Sequence, residues 1–255
     1  MPEWDELFKE EEFRWREPDE AVVALAQELK AQPPAGSQPY GQADDAAACG
    51  RVGRRLRVLD LGFGAGRHVA YLAREGFEVC GTDISPRGLE ITQAWLAREG
   101  LQADLRLSDM TVIPFPDAFF DAVVSTYVIH HNTLDNIRRC VAEIRRVLVP
   151  GGKALLLVQS KRGYRYRCGQ QIEPDTLILS TGADAGVPHH FFDKAGVRQL
   201  LCALDVLSIT AREHVDGEGH RHAHWKVRVV KPRRGGPTDG PAPRVATPTR
   251  QPPAE

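Results

Sequence analysis

Short apolar runs and amphipathic segments alternate along the middle of the chain. The apolar runs have the length of strands, and most of them are followed by a segment with helical periodicity. The predicted strands are Leu56–Leu61, Glu78–Thr82, Asp104–Leu107, Phe120–Thr126 and Ala154–Gln159, and the predicted helices are Arg67–Glu75, Pro86–Glu99, Leu134–Leu148 and Asp193–Leu204. This alternation of strand and helix predicts a parallel sheet with helices on both faces.

Two further apolar runs close the pattern. Leu207–Glu213 and His224–Val230 are joined by the glycine-containing turn "DGEGH" and predict an antiparallel pair. Pro150-Gly151-Gly152 predicts a helix stop and a sharp turn, and residues 160–192 predict a long loop over the sheet edge. The expected fold is α/β: a Rossmann-like, doubly wound sheet of seven strands, five of them parallel and two forming the C-terminal antiparallel pair.

Composition divides the chain into four segments. Residues 1–31 predict an N-terminal helical cap, residues 32–51 a flexible linker, and residues 52–231 the α/β domain. Residues 232–255 hold seven Pro and three Gly, with Val245 as the only branched aliphatic residue. Because this segment has too little apolar surface to offset the entropy lost on ordering, we expect a disordered tail.

Charge and cysteine content argue against several classes of protein. Lys and Arg number 33 against 34 Asp and Glu, so nucleic acid is not the expected partner. No apolar run reaches the roughly 18 residues of a membrane-spanning helix, and the acidic N-terminus does not resemble a secretory signal. The cysteines are odd in number and scattered, which indicates reduced thiols in a cytoplasmic protein.

The strongest chemical signal is "RVLDLGFGAGRH", from Arg57 to His68. A strand ends near Asp60, glycines follow at Gly62, Gly64 and Gly66, and a helix then begins. Such glycines permit positive φ and close approach of a ligand, and the helix start supplies free N–H donors. A tight turn without a ligand is the alternative. The dinucleotide pattern G-x-G-x-x-G fails, because Arg and Val stand at positions 67 and 69.

The pattern D-x-G-x-G-x-G resembles the first motif of class I S-adenosylmethionine-dependent methyltransferases. The resemblance covers about residues 56–231 and includes "DLGFGAGRHVAYLAREG", "GTDISPRG", the "HH" after the fourth strand and the "PGG" before the fifth. Tellurite-resistance methyltransferases share part of this pattern. The resemblance implies the seven-stranded methyltransferase fold, S-adenosylmethionine as cofactor and methyl transfer as activity.

The ends of the first two strands supply most of the expected cofactor contacts. The first turn contributes Asp60, Gly62, Phe63, Gly64 and Gly66. Asp83 ends the second strand, where a carboxylate can accept both ribose hydroxyls, and Ile84 would lie against the adenine. Asp83 could instead cap the next helix, but Ser85 before Pro86 is the better N-cap.

The third and fourth strands end at further candidates. The resemblance implies that Asp109 accepts a hydrogen bond from the adenine amino group and that the Met110 N–H donates to a ring nitrogen; a surface aspartate is the alternative. Thr126 lies where the fourth strand ends over the methyl donor. Because ligands bind beyond the carboxyl ends of such strands, we expect these residues in one crevice.

The same crevice should hold the catalytic residues, for which Tyr127, His130 and His131 are the candidates. Methyl transfer is an in-line displacement on an activated group, so the protein chiefly aligns and desolvates the reactants. A histidine whose pKa lies near neutral pH could remove a proton from the acceptor. A purely structural role for both histidines remains the alternative.

The acceptor is less clearly encoded. Motifs for methylation of exocyclic base amines or of cytosine C5 are absent, which leaves a small molecule. The segment "SKRGYRYR" offers Arg165 and Arg167 to an anionic acceptor or to RNA, and a solvated basic loop is an equally weighted interpretation. In "GVPHHFFDKAGV", His189 could reach the crevice; alternatively, the segment only leads into a helix.

Two other groups of residues suggest secondary roles. Trp4, Phe8, Phe13 and Trp15 could fold over the cofactor as a cap or pack against the sheet edge. His220, His222 and His224 would share one face of a strand. Without a carboxylate or cysteine at ligand spacing, we expect an exposed histidine-rich edge there and no metal site.

The sequence therefore predicts an S-adenosylmethionine-dependent methyltransferase that acts on a small-molecule acceptor at O, N or S. A non-catalytic S-adenosylmethionine-binding scaffold or regulatory module is the alternative from another class, because the glycine turn and Asp83 fit both. An RNA methyltransferase and a NAD-dependent dehydrogenase are less favoured.

Overall fold

The structure, a computed structural model, describes residues 3–8, 16–32, 54–182 and 184–233. Nearly all of the predicted linker and tail lies outside these residues, as do Phe13 and Trp15.

The central feature is a seven-stranded sheet in the order β3-β2-β1-β4-β5-β10-β9. The strands are β1 (Arg57–Leu61), β2 (Glu78–Asp83), β3 (Asp104–Leu107), β4 (Phe120–Thr126), β5 (Leu148–Gln159), β9 (Asp205–Val215) and β10 (Arg221–Val230). The first five pair in parallel, and β10 pairs antiparallel with both β5 and β9. The predicted fold class is confirmed, including the C-terminal antiparallel pair.

Helices cover both faces of this sheet. They are α1 (Glu3–Leu7), α2 (Glu20–Ala31), α3 (Arg67–Arg74), α4 (Pro86–Glu99), α5 (Leu134–Val147) and α6 (Lys194–Leu200). Leu59 and Val123 point into a core with α5 and α6, whereas their neighbours Val58 and Val124 point into a second core with α2, α3 and α4. Adjacent strand residues face opposite sides, so continuous apolar strands fill both cores.

The N-terminal helix α2 belongs to this packing. Its side chains Val22, Leu25 and Leu29 are buried in the second core, and Asp19 caps the helix by accepting a hydrogen bond from the Ala21 N–H at 2.9 Å. Its Glu28 carboxylate binds Lys153 on β5 at 2.7 Å and also binds Arg228 on β10. The C-terminal half of the predicted cap is therefore part of the three-layer body.

Two predictions about the region around β5 are wrong. The helix does stop as predicted, since α5 ends at Val147, but Pro150-Gly151-Gly152 lies inside β5 and does not form the predicted turn before the strand. The Gly151 N–H donates to the Lys231 carbonyl at 2.8 Å, and the Lys231 N–H donates to the Gly152 carbonyl at 2.8 Å. This pairing holds an irregular start of the strand, where the register with β4 shifts between Phe120 and Ala122.

The segment 160–192 is also not a plain loop. It contains a short 3₁₀ helix, Tyr164–Arg167, and a small antiparallel sheet of β6 (Gln170–Glu173), β7 (Thr176–Ile178) and β8 (Pro188–His190). Leu177, Leu179 and Phe191 form its own small apolar cluster. This cluster supplies the burial that allows the segment to order.

Helix capping provides a test of how local sequence stabilises the fold. The Ser85 hydroxyl accepts from the Gly88 N–H at 2.9 Å and begins α4 with Pro86 next to it, as predicted. We expect Ser85→Ala to lower the free energy of unfolding by about 0.5–2 kcal/mol, because that N–H loses its partner. Urea unfolding followed by circular dichroism measures this change.

Thr133 provides the matched control, because it is the N-cap of α5 but makes no side-chain capping bond. Thr133→Ala should change the unfolding free energy by less than about 0.5 kcal/mol. Equal losses in the two variants would contradict the capping role of Ser85.

Candidate functional site

The glycine turn lies at the carboxyl edge of the sheet, between β1 and α3. Gly62, Gly64 and Gly66 have φ values of +80°, +54° and +86°, which residues with a side chain rarely adopt. A Cβ at Gly62 would lie 2.3 Å from Val128 Cγ2, and one at Gly66 would lie 2.5 Å from Thr92 Cγ2. Both the backbone conformation and the packing therefore require glycine at these positions.

Asp60 is the most unusual polar residue of this edge. Its side chain is 1% exposed, and neither carboxylate oxygen has a hydrogen-bond partner within the described residues. His68 Nδ1 lies 3.8 Å from Asp60 Oδ2. A buried carboxylate without donors is costly. Asp60 thus has full capacity to accept hydrogen bonds from a donor-bearing or cationic ligand.

Asp83 joins the second strand to the glycine turn. Its Oδ2 accepts from the Gly64 N–H at 2.8 Å, and its Oδ1 accepts from the Ser85 N–H at 2.8 Å. Burial raises the pKa of this carboxyl above its usual value, and the nearby Asp60 charge acts in the same direction, against the lowering effect of the two N–H bonds. Each oxygen retains a lone pair, so the group can still accept from ligand hydroxyls.

The other predicted cofactor residues lie around this edge in different settings. The Phe63 ring packs into the second core, so only its backbone belongs to the turn. Ile84 follows Asp83 and is partly exposed. Asp109 is exposed and accepts from the Thr111 N–H at 2.8 Å, and Met110 is partly buried beside the first core. Their contacts with adenine stay predictions.

Beyond the end of β4, four histidines come together; we call His130, His131, His189 and His224 the histidine cluster. The ring centroids of His130 and His131 are 4.2 Å apart, and those of His131 and His189 are 4.5 Å apart. His224 lies 6.2 Å from His130 and contacts the Tyr127 ring at 4.8 Å. The predicted convergence of Tyr127, His130 and His131 at the carboxyl edge is thus seen.

Burial controls the charge of this cluster. It lowers the pKa of His131 to about 3, with the neighbouring His189 acting in the same direction. It also lowers the pKa of His224 to about 4, aided by His222, and holds the pKa of His130 well below its usual value. These three imidazoles are neutral at pH 7, and the Nδ1 atoms of His130 and His131 have no partner within the described residues.

Tyr127 has an unusual backbone. Its φ is +62°, although it carries a large side chain, and it directly follows Thr126, which is buried at the end of β4. The Tyr127 N–H nevertheless donates to the Leu157 carbonyl at 3.2 Å. Such a conformation persists only where its surroundings enforce it, and it is often found at functional sites.

The predicted acceptor residues separate into two groups. Arg165 binds both oxygens of Asp184, and His189 is fully buried with Nε2 at 2.8 Å from Asp184 Oδ2. Arg167 instead lies on the surface beside Lys161 and Arg162. The structure brings His189 to the crevice, ties Arg165 to that same network and leaves Arg167 outside it.

The first helix lies against this edge. The Trp4 ring contacts the His131 ring edge-on at 4.9 Å, and Phe8 Cζ lies 3.0 Å from the position that a Cβ on Gly64 would occupy. Asp5 accepts hydrogen bonds from the Ser85 hydroxyl and, at 3.1 Å, from the Arg87 N–H. Trp4 and Phe8 therefore lie at the carboxyl edge, and a role as a cap over the cofactor stays a prediction.

Sequence reasoning missed two members of the site. His224 was grouped with His220 and His222 at an exposed edge, but it pairs with Gln159, the last residue of β5, and therefore lies at the carboxyl edge. Only the antiparallel direction of β10 places it there. Asp184, in the turn between β7 and β8, had no motif to indicate its role.

The chain is similar in sequence to known methyltransferases. Residues 59–156 match a family model described as a methyltransferase domain. Demethylmenaquinone methyltransferase from Tropheryma whipplei is 35% identical over 113 residues, which are 43% of this chain and 45% of that protein. The ubiquinone/menaquinone biosynthesis C-methyltransferase UbiE of Bordetella avium is 38% identical over 109 residues, 42% of each chain. This chain therefore aligns with less than half the length of these relatives.

Solved structures share the fold. An S-adenosylmethionine-dependent methyltransferase from Methanosarcina mazei has a TM-score of 0.62 at 20% identity, covering 74% of this chain and 98% of that one. TehB from Haemophilus influenzae has a TM-score of 0.53 at 18% identity, covering 80% of this chain and 65% of that one. These comparisons confirm the predicted resemblance to S-adenosylmethionine-dependent methyltransferases, with the family match spanning residues 59–156.

The helices of the described residues include none that is long and apolar enough to cross a membrane.

The lowered histidine pKa values predict a pH-dependent stability. The unfolded chain protonates these histidines below about pH 6.5, whereas the folded chain leaves His224 neutral down to about pH 4. The unfolded state then binds more protons, so the free energy of unfolding should fall by about 1.4 kcal/mol per pH unit for each such histidine between these limits. Urea unfolding at pH 7, 6 and 5 measures the slope.

His224→Gln should reduce this slope by removing one titrating group. Val229→Ala, a buried and non-titrating change on the same strand, should lower stability by a similar amount at each pH. If the slope is the same in wild type and His224→Gln, the burial of a neutral imidazole at this position is not what couples folding to pH.

Proposed function

We propose that this protein transfers the methyl group of S-adenosylmethionine to a small-molecule acceptor bound against the histidine cluster. The observation that carries the proposal is the glycine turn with two carboxylates at its sides, Asp60 buried and Asp83 partly buried. Asp60 has no donor within the described residues, and Asp83 keeps acceptor capacity at the next strand end. Both lie at the edge where open α/β sheets bind ligands.

The residues present fit the cofactor. S-adenosylmethionine carries an amino group, a sulfonium and two ribose hydroxyls, and it supplies a methyl group already activated for transfer. Asp60 would hold the positively charged end, and Asp83 would accept from the ribose hydroxyls. A glycine at position 64 lets a ligand approach the backbone closely. A side chain there would extend toward Phe8, whose Cζ lies 3.0 Å from the Cβ position.

The chain's own contribution to the reaction is alignment and exclusion of water. His130 is 2% exposed, and Thr126 is 8% exposed, so an acceptor at the end of β4 would be removed from solvent. The neutral His130 can accept a hydrogen bond from an acceptor hydroxyl or amine through Nδ1 when Nε2 carries the proton. This orients a lone pair of the acceptor, and the imidazole itself adds no positive charge to the crevice.

The acceptor class follows from this neutral and aromatic lining. Trp4 and Tyr127 contact the histidine cluster, so the crevice favours a flat, weakly charged ring with a hydroxyl group over a polyanion. The matched relatives are named for methylation in quinone biosynthesis, at carbon in the case of UbiE. A phenolic or quinol-type acceptor, methylated at oxygen or at ring carbon, is the first class to test.

Cofactor binding is the first test. We expect S-adenosylmethionine and S-adenosylhomocysteine to bind in calorimetric titrations and NAD not to bind. Asp83→Ala should weaken binding by about 1.5–3 kcal/mol, because hydrogen bonds to a charged group are lost. Gly64→Val should abolish it by blocking the turn.

Two variants control for general damage. Asp104→Ala removes an exposed carboxylate on β3 and should leave affinity unchanged. Gly100→Val introduces similar backbone strain at the end of α4, where φ is +66° and nothing lies within 4 Å of the added Cβ. It should likewise leave cofactor affinity unchanged. Wild-type protein that binds NAD but neither S-adenosylmethionine nor S-adenosylhomocysteine would refute the proposed function.

Turnover is the second test. Protein incubated with methyl-labelled S-adenosylmethionine should label an acceptor from a panel of phenols, demethylated naphthoquinols, thiols and amines. With that acceptor, His130→Ala should lower kcat by about 10²–10⁴-fold if the imidazole takes the acceptor proton, while cofactor affinity stays unchanged. A smaller loss would assign His130 to positioning, and a kcat equal to wild type would remove it from the acceptor site.

A further inference from the structure

Three potential metal ligands meet at the outer end of the crevice. His131 lies in the turn after β4, Asp184 in the turn between β7 and β8, and His189 on β8. One ligand atom from each lies within 4.8 Å of those from the other two. Ligands of one first-row ion, bound at about 2.0–2.2 Å, lie about 3–4 Å apart, so small side-chain rotations would complete the geometry.

His189 has a hydrogen-bonding conflict that a cation would resolve. Its Nδ1 lies 2.8 Å from the Val187 carbonyl oxygen, and its Nε2 lies 2.8 Å from Asp184 Oδ2. A neutral imidazole carries one N–H, so one of these nitrogens would present a lone pair to an oxygen. If Nδ1–H donates to Val187, then Nε2 and Asp184 Oδ2 are two electron-pair donors directed at the same place.

His131 adds an unsatisfied nitrogen at the same location. Its Nδ1 is buried and has no hydrogen-bond partner within the described residues, and its ring lies 4.5 Å from that of His189. A buried polar atom without a partner requires an explanation, and an ion is one of the usual ones.

The surroundings have the features of an outer ligand shell. Metal-bound histidines usually donate their other ring N–H to a backbone carbonyl, as His189 would to Val187. Metal-bound carboxylates are themselves held by hydrogen bonds, as Asp184 is by Arg165. Further support comes from the backbone, where the His190 N–H donates to the His130 carbonyl at 2.8 Å and fixes β8 against the turn after β4.

We propose that His131, Asp184 and His189 bind one divalent first-row transition-metal ion, such as Zn²⁺, Fe²⁺ or Mn²⁺. Two imidazoles and one carboxylate form a ligand set typical of such ions, and it leaves further positions for oxygen ligands. Because Arg165 already neutralises the Asp184 carboxylate, a bound ion keeps most of its charge and favours an anionic oxygen, such as a deprotonated acceptor hydroxyl. Binding of the ion does not depend on the proposed methyl transfer.

Co²⁺ and Zn²⁺ are the probes, used on the full chain after treatment with a chelator. We expect one equivalent of Co²⁺ to give visible absorption bands, and one equivalent of Zn²⁺ to displace it and raise Tm. His131→Gln should weaken Co²⁺ affinity at least about tenfold, because even loss of an outer-shell partner costs about 10–100-fold. His131 is only partly buried, so this variant should fold, as the unchanged Tm of its metal-free form would show.

The matched control is the double variant His220→Gln/His222→Gln. These histidines surround Asp216 on the surface, with His222 Nε2 at 2.8 Å from its Oδ2, and they could bind a transition metal adventitiously. The double variant should retain the Co²⁺ spectrum and affinity. Loss of binding in the double variant but not in His131→Gln would overturn the proposal.

Absence of stoichiometric Co²⁺ or Zn²⁺ binding by wild-type protein would also overturn it. S-adenosylmethionine titrations on the same samples separate the two proposals. Failure of metal binding with cofactor binding intact would refute only the metal site. Failure of cofactor binding with metal binding intact would refute only the proposed function.

Discussion

The hydrogen bond from the Gly64 N–H to the Asp83 carboxylate joins the ends of two neighbouring strands and determines the geometry of the whole edge. It is possible only because the turn after β1 adopts positive φ at Gly62, Gly64 and Gly66, which turns its N–H groups toward β2. The same turn starts α3, and Ser85 starts α4 beside it. A single backbone conformation therefore positions two helix starts and two carboxylates around one opening.

The other half of the crevice has a different physical basis. The histidine cluster is assembled from the turn after β4, from β8 and from β10, and burial keeps at least three of its imidazoles neutral. Neutral rings tolerate close mutual packing that four imidazolium ions would not. The site thus pairs an acidic half suited to a positively charged cofactor with a neutral, polar half suited to a weakly charged acceptor. The network of Arg165, Asp184 and His189 connects this half to the small sheet that covers it.

The covering segment explains why an α/β sheet can have a partly enclosed crevice. Residues 160–192 have their own apolar cluster, and Phe192 at their end packs into the first core. Hydrogen bonds attach them as well, from the His190 N–H to the His130 carbonyl and from Trp225 Nε1 to the Phe192 carbonyl at 2.9 Å.

The sequence by itself determined the sheet, its helices and the glycine turn where the cofactor is proposed to bind. These depend on short-range signals: apolar runs of strand length, glycines that permit one backbone conformation, and Ser85 with Pro86 at a helix start. The position of β10 beside β5, the strand through Pro150-Gly151-Gly152 and the small sheet before α6 depend on pairing between distant segments. Only the tertiary structure placed His224 beside His130 and Asp184 beside His189, because residues 94 and 5 positions apart, respectively, become neighbours through strand pairing and turn geometry that local sequence does not encode.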